Sequence, residues 1–265
     1  MRISRQTAES NYLRIASTEP AGLGATRANL ARLLRSLDFV GWSTHEESGR
    51  LDRKALTRYA TGSTAIFSRR EHKEAEKPAV SVLIDCSSSM DGRRILIAEE
   101  IAIHLSKILN RSRVPFAVTG FHIGRNGYHL VNGNETVTCT PTFIQFKQWG
   151  ESFGKCVAKL GSISNAATGG TPDYSAIYNT IDEISRRDEQ RKIVFLLTDA
   201  DGYNRGHMKH LQKLADSMKV TIIAIGIGRT DVTQCFVNSQ DVGSLDQLAS
   251  TAFNQLLRVV ERKSK

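Results

Sequence analysis

Runs of consecutive apolar residues that stop abruptly at an acid or a glycine set the pattern of this chain. Ser81-Val82-Leu83-Ile84 stops at Asp85, Ile193-Val194-Phe195-Leu196-Leu197 stops at Thr198-Asp199, and the run over 221–227 stops at Gly228. Runs this short and this continuously apolar predict strands buried on both faces of a parallel sheet. A further strand is predicted over 115–121. Residues 95–109 are apolar nearly all round, so the helix predicted there is buried over most of its circumference. Helices are also predicted over 153–160, 173–187, 208–218 and 245–260, with a short strand near Cys235-Phe236-Val237. Asn132-Gly133-Asn134 lies between two strand-like segments, 128–131 and 135–139, and signals a hairpin at a sheet edge. Strands alternating with helices predict a doubly wound, mostly parallel α/β sheet of the Rossmann-like kind.

The first third of the chain reads differently. Residues 1–22 show little periodicity and are expected to be loosely ordered. Leu30, Leu33, Leu34 and Leu37 then fall on one stripe, which predicts an amphipathic helix over 26–37. Asp52 would cap a short helix carrying Leu56 and Tyr59. Residues 65–67 read as a short strand or extended arm, and 71–77 as a charged linker. The expected organisation is a basic, mainly helical module over 1–77 followed by an α/β domain over 78–265.

Composition adds little to the fold but narrows the function. Up to Lys77 the chain holds 14 Lys+Arg against 9 Asp+Glu, and the remainder 22 against 18, within a net charge of +9. The basic excess is denser in the first third, yet no run of five like charges occurs, so a solvated basic face is expected over a nucleic-acid-binding tail. Cys86, Cys139, Cys156 and Cys235 form no Cys-x-x-Cys pair, which argues against a structural zinc site or a disulfide framework. No apolar stretch approaches about 18 residues, and the start Met1-Arg2-Ile3-Ser4 is polar, so a cytoplasmic protein is expected.

The chemistry lies where the buried runs end. Asp85, Ser87 and Ser89 alternate in the loop leaving the first of them, at the strand end where open α/β sheets place ligands. Three hard oxygen donors on one turn suit a small hard cation such as Mg²⁺. Gly169-Gly170-Thr171-Pro172-Asp173 opens a predicted helix, and Asp199 closes another buried strand. Ser87 and Ser89 taken alone would serve equally as turn and cap residues. Thr168 competes with Thr171 as a donor, since both flank the glycines. Asp201 precedes Gly202 and reads as a turn residue. His207-x-x-His210 reads as a surface pair, and Lys155 and Lys159 as solvated.

Taken together, Asp85-x-Ser87-x-Ser89, Thr171 in Gly-Gly-Thr-Pro and Asp199 in Leu-Leu-Thr-Asp resemble the metal-ion-dependent adhesion site (MIDAS) of the von Willebrand factor A (VWA) domain family. The resemblance covers roughly 78–260. It implies Mg²⁺, with Mn²⁺ as the alternative, at Asp85, Ser87, Ser89, Thr171 and Asp199. The two aspartates would act largely through water, and one coordination position would be left for a partner's carboxylate. Gly41-Trp42, Gly49-Arg50-Leu51-Asp52, Leu56-x-Arg58 and Ile66-Phe67-Ser68-Arg69-Arg70 resemble the region before the VWA domain of the cobaltochelatase T subunit (CobT). The Gly-Gly-Thr-Pro and Leu-Leu-Thr-Asp loops are also similar to those of the magnesium-chelatase D subunit. These resemblances imply a MoxR-like AAA+ ATPase as partner, assembled with this chain in an oligomeric ring. No Gly-x-x-x-x-Gly-Lys-Ser/Thr loop occurs, so ATP hydrolysis would fall to that partner. The expected function is a non-catalytic adaptor that grips an acidic ligand. The alternatives are a true cobalt or magnesium chelatase subunit in tetrapyrrole synthesis and a metal-dependent phosphoesterase using Asp85, Asp199 and Asp201.

Overall fold

The computed structural model describes residues 3–18, 39–53, 55, 59, 62, 64–73, 78–124, 128–131, 134–137, 141–228 and 232–242. The helices expected over 26–37 and 245–260, the Asn132-Gly133 turn and the proposed boundary at 77 lie outside these residues.

The main sheet has six strands. In chain order they are β4 (Ala79–Asp85), β5 (Phe116–His122), β8 (Thr142–Lys147), β9 (Lys192–Thr198), β10 (Val220–Ile227) and β11 (Ser239–Val242). Their spatial order is β11-β10-β9-β4-β5-β8. All neighbouring pairs are parallel except β5 and β8, which are antiparallel. The mostly parallel α/β architecture expected from the sequence is therefore the one observed. Every residue of β4, β5 and β10 is buried, the signature of strands covered on both faces.

Strand alternation divides the apolar side chains between two cores. Val80, Val82 and Ile84 point into one, and Ala79 and Leu83 into the other. The first core is closed by α2 (Arg93–Arg111), which buries Ile95, Ile101, Leu105 and Ile108, and by α3 (Phe153–Leu160). The second is closed by α4 (Asp173–Ser185), through Ile177, Ile181 and Ile184, and by α5 (Arg205–Ser217), through Met208 and Leu211. Each of these helices was legible in the sequence to within a few residues.

Residues 5–17, expected to be loosely ordered, depart from expectation. Arg5–Ser17 form a helix, α1, capped by Ser4, whose side chain accepts from the Thr7 amide. Its apolar stripe is only three residues wide, Ala8, Tyr12 and Ile15, which is too narrow to register as a period. Tyr12 and Ile15 join the first core, with Tyr12 edge-on to Phe153. Asn11 Nδ2 donates to Glu99 Oε2 and to the Gly161 carbonyl, both at 3.0 Å. Glu99 is fully buried, and Ser164 also donates to it from its amide and its hydroxyl. Asn11→Ala is therefore expected to cost about 1–2 kcal/mol, because it strips a donor from a buried carboxylate. A urea midpoint equal to that of the unsubstituted protein would refute this role.

Within the module expected over 1–77, the described residues also include three strands that form a sheet of their own. β1 (Phe39–Glu46), β2 (Arg50–Leu51) and β3 (Phe67–Lys73) form an antiparallel sheet with β3 in the centre. Glu71, placed in a charged linker by sequence, pairs with Gly41 in this sheet. Pairing between strands some thirty residues apart supplies the backbone partners that the charged composition of β3 does not advertise. Two other expectations are corrected. Tyr128–Val131 (β6) and Asn134–Val137 (β7) do pair as a hairpin, but they form a separate two-stranded sheet, and the main-sheet edge beside β5 is β8. The strand expected near Cys235 is the end of a short helix, α6 (Val232–Cys235), and the strand follows it as β11.

Candidate metal centre

The main sheet reverses its winding beside β4. From β4 the chain goes outward to β5 on one side and later returns to lay β9, β10 and β11 on the other. The carboxyl ends of β4 and β9 thus meet at the topological switch point, where doubly wound sheets leave a crevice. Asp85 is the last residue of β4, and Asp199 follows the last residue of β9.

Backbone and side-chain hydrogen bonds fix both acids. Asp85 is fully buried. Its Oδ1 accepts from the Ser87 amide at 2.9 Å, and its Oδ2 accepts from the Thr198 hydroxyl at 2.9 Å. Thr198 Oγ1 accepts in turn from the Ala200 amide, which ties the β9 loop to the β4 carboxylate. Ser87 and Ser89 bring their hydroxyls to 3.0 Å of each other across the start of a 3₁₀ turn, Ser88–Met90. Asp199, 3% exposed, accepts from the Asp201 amide through Oδ1 and from Arg94 Nη1 through Oδ2 at 2.7 Å. The same Arg94 nitrogen donates to the Ser89 carbonyl at 3.0 Å. Ala200 adopts a left-handed φ of 52°, a conformation costly for a residue with a Cβ, at the point where the β9 loop turns away.

The loop carrying Thr171 is docked by main-chain bonds. The Thr168 amide donates to the Cys86 carbonyl at 2.7 Å, the Ser88 amide to the Gly169 carbonyl at 2.9 Å, and the Ile123 amide to the Gly170 carbonyl at 2.8 Å. Gly169 is left-handed, and a Cβ there would lie 1.9 Å from the Ile123 carbonyl oxygen. Thr171 follows, half-buried, just before α4, while Thr168 is exposed.

Burial dominates the electrostatics. Asp85 is pushed up from 3.8 to about 6, chiefly because desolvation disfavours its charged form, with Asp199 adding to the rise and hydrogen bonds from Ser87 and Thr198 opposing it. The Tyr203 hydroxyl is buried, and its phenol is raised well above its usual range by burial and then by Asp85, with Thr198 opposing the rise.

The donor set fits a small divalent cation. It offers hydroxyls and two buried carboxylates, one of which, Asp85, bears a desolvation cost that its hydrogen bonds only partly offset. The structure brings Asp85, Ser87, Ser89 and Asp199 into one bonded network and anchors the Thr171 loop beside Ser88. Asp201 is exposed, and among the described residues no group of three or more His, Cys, Asp or Glu side chains could hold a metal, so the carboxylate trio of the phosphoesterase alternative gains no support. His207 and His210 are exposed and flank Tyr174, the latter with Nδ1 3.0 Å from its hydroxyl. Lys159 is paired with Glu151 at 2.7 Å, contrary to its reading as simply solvated. Three participants were not assigned from sequence: Thr198, Arg94 and Tyr203. Thr198 stood inside the quoted Leu-Leu-Thr-Asp run. Arg94 left one signal, a basic residue in the first turn of a helix that has no acid there.

The chain was compared with known families and structures. Residues 66–136 match the family model described as the cobalamin biosynthesis protein CobT VWA domain, just over a quarter of the chain. The match includes Asp85, Ser87 and Ser89 and stops short of Thr171 and Asp199. Among solved structures, the conserved hypothetical protein BatB from Bacteroides thetaiotaomicron superposes with a TM-score of 0.51 at 12% identity, covering 69% of this chain and 98% of that one. Proximal thread matrix protein 1 from the mussel byssus, with a zinc-occupied MIDAS motif, gives 0.49 at 17% identity, covering 68% of this chain and 45% of that one. Manganese-loaded TRAP protein from Plasmodium vivax gives 0.46 at 13% identity, covering 66% and 71%. No helix among the described residues is long and apolar enough to cross a membrane. Residues 66–136 are thus similar to the CobT VWA domain, and the α/β fold is of the kind that BatB also has.

Proposed function

We propose that this chain is a protein-binding adaptor that holds Mg²⁺ through Ser87, Ser89 and Thr171, with Asp85 and Asp199 behind them, and uses the ion to grip an acidic residue of a partner. The observation that carries this reading is the convergence of Asp85, Ser87, Ser89 and Asp199 at the switch point, joined by Thr198 and Arg94. Neutral hydroxyls hold a dication without quenching its charge, so a bound ion retains attraction for an anionic ligand from outside. Ser87 and Ser89 orient toward one another, Thr198 holds Asp85 in place, and Asp199 is held by Arg94 and the Asp201 amide. No residue in this set is arranged as a nucleophile with its base, which favours grip over catalysis.

The partner we propose is a MoxR-type AAA+ ATPase, whose motion the chain would pass to a client in the cytoplasm. The likeness to the CobT VWA domain over 66–136 supports that choice. It also keeps a second reading in view, a chelatase subunit that additionally needs a large tetrapyrrole-binding protein. Two measurements test the proposal. Addition of Mg²⁺ after EDTA is expected to raise the melting temperature, and an unchanged value would remove the metal site. Co-purification with a co-expressed MoxR-type ATPase is expected to depend on Mg²⁺ and to be lost in Ser87→Ala. Capture that persists in EDTA would separate the ATPase contact from the metal.

A further inference from the structure

We infer that Arg94 sets the strength of the metal site, by cancelling the charge of Asp199 so that a bound divalent ion stays under-neutralised and available to a partner's carboxylate. This assignment rests on the metal reading above and concerns a residue outside the adhesion-site motif.

Arg94 bridges two of the three site loops with a single nitrogen. Nη1 donates to the Ser89 carbonyl in the β4 loop and to Asp199 Oδ2 in the β9 loop. The Asp199 side chain is 2% exposed and that of Arg94 39%, so the pair has a buried negative end and a partly solvated positive end. Arg94 belongs to the first turn of α2, where the helix dipole disfavours a cation and no acidic side chain of the same turn compensates. What holds it there is the site itself.

The charge balance follows. Asp85 and Asp199 together offer two negative charges, which would neutralise a divalent ion. An arginine is charged at every working pH. With Arg94 paired to Asp199, the protein presents a net single negative charge, and the three hydroxyls add none. The ion therefore keeps an uncompensated positive charge for a ligand from outside. Arg94 lowers affinity for the metal and raises the metal's affinity for an acid. A residue that merely props up Asp199 would act in the opposite sense on the first of these.

Calorimetric titration of the full chain with MgCl₂ separates the two roles, alongside the melting temperature of each variant in EDTA. Arg94→Gln removes the charge but keeps an amide donor for Asp199, while Arg94→Lys keeps the charge. The expected result is Mg²⁺ binding about tenfold tighter in Arg94→Gln, the partial exposure of the guanidinium limiting the effect, and within about twofold of the unsubstituted protein in Arg94→Lys. Equal or weaker binding in Arg94→Gln overturns the assignment while leaving the metal site standing. Failure of the unsubstituted protein to bind Mg²⁺ overturns both. Should Arg94→Gln not fold, Arg94→Lys decides: retained affinity supports the charge account, and lost affinity overturns it.

Discussion

Asp85→Asn is expected to make the metal-free protein more stable at pH 7.5 and to erase its response to Mg²⁺. Asp85 is fully buried and its carboxyl is raised from 3.8 to about 6, mainly by desolvation. The folded state therefore binds this proton more tightly than the unfolded state does. Stability falls as pH rises from about 4 to about 6, and the full penalty is present above that. The raise corresponds to about 3 kcal/mol. Asn removes the charge but weakens the bonds from the Ser87 amide and the Thr198 hydroxyl, which takes back about 1–2 kcal/mol. The net expectation is a gain of about 1–2 kcal/mol in EDTA. In the unsubstituted protein, Mg²⁺ at a hundredfold excess over its dissociation constant adds about 2.7 kcal/mol, and Asp85→Asn forfeits all of it. Thermal melts at pH 5 and 7.5, with EDTA and with Mg²⁺, resolve these terms. A variant less stable than the original in EDTA at pH 7.5, or one still stabilised by Mg²⁺, would contradict the role given to Asp85.

Gly169→Ala is expected to damage fold and site together. Its φ of 67° already disfavours a side chain, but the larger effect is steric, since the new methyl would sit 1.9 Å from the Ile123 carbonyl oxygen. Relief requires the 168–171 loop to lift away from β5. That would break the Ile123–Gly170 bond and strain the Ser88–Gly169 bond that registers the Thr171 loop against the Asp85 loop. A loss of about 3 kcal/mol or more is expected, or roughly a 10 °C fall in melting temperature for a chain of this size, with weakened Mg²⁺ binding. Gly202→Ala provides the comparison. Its φ is 73°, yet nothing lies within 4 Å of its added Cβ, so only the conformational cost of about 1 kcal/mol is expected. Equal melting temperatures for the two variants would show that the loop docking is not what Gly169 secures.

The contrast between these glycines shows what kind of information the chain carries locally. The dipeptide Gly169-Gly170 announces a turn, but nothing near it in sequence reveals that Ile123 lies against it. Arg94 has the same character: its position in the first turn of α2 is readable, and its partner Asp199 is 105 residues away. Asn11, likewise, gives no hint of Glu99, 88 residues on.

By itself the sequence determined the strands whose apolar runs are buried on both faces and the helices whose stripes close the two cores, and it pointed to Asp85, Ser87, Ser89 and Asp199 after two of those strands and to Thr171 before a helix. It could do so because a strand in a parallel sheet or a helix on its face must bury a periodic set of side chains, and that period is local. Only the tertiary structure decided that residues 5–17 fold as a helix onto the first core, that three strands within 39–73 pair in a sheet of their own, that β8 forms the sheet edge beside β5, and that Thr198 and Arg94 bind the site's two acids. Those outcomes depend on pairing between segments far apart in the chain, where the free energy comes from burial and hydrogen bonds that no single stretch can register.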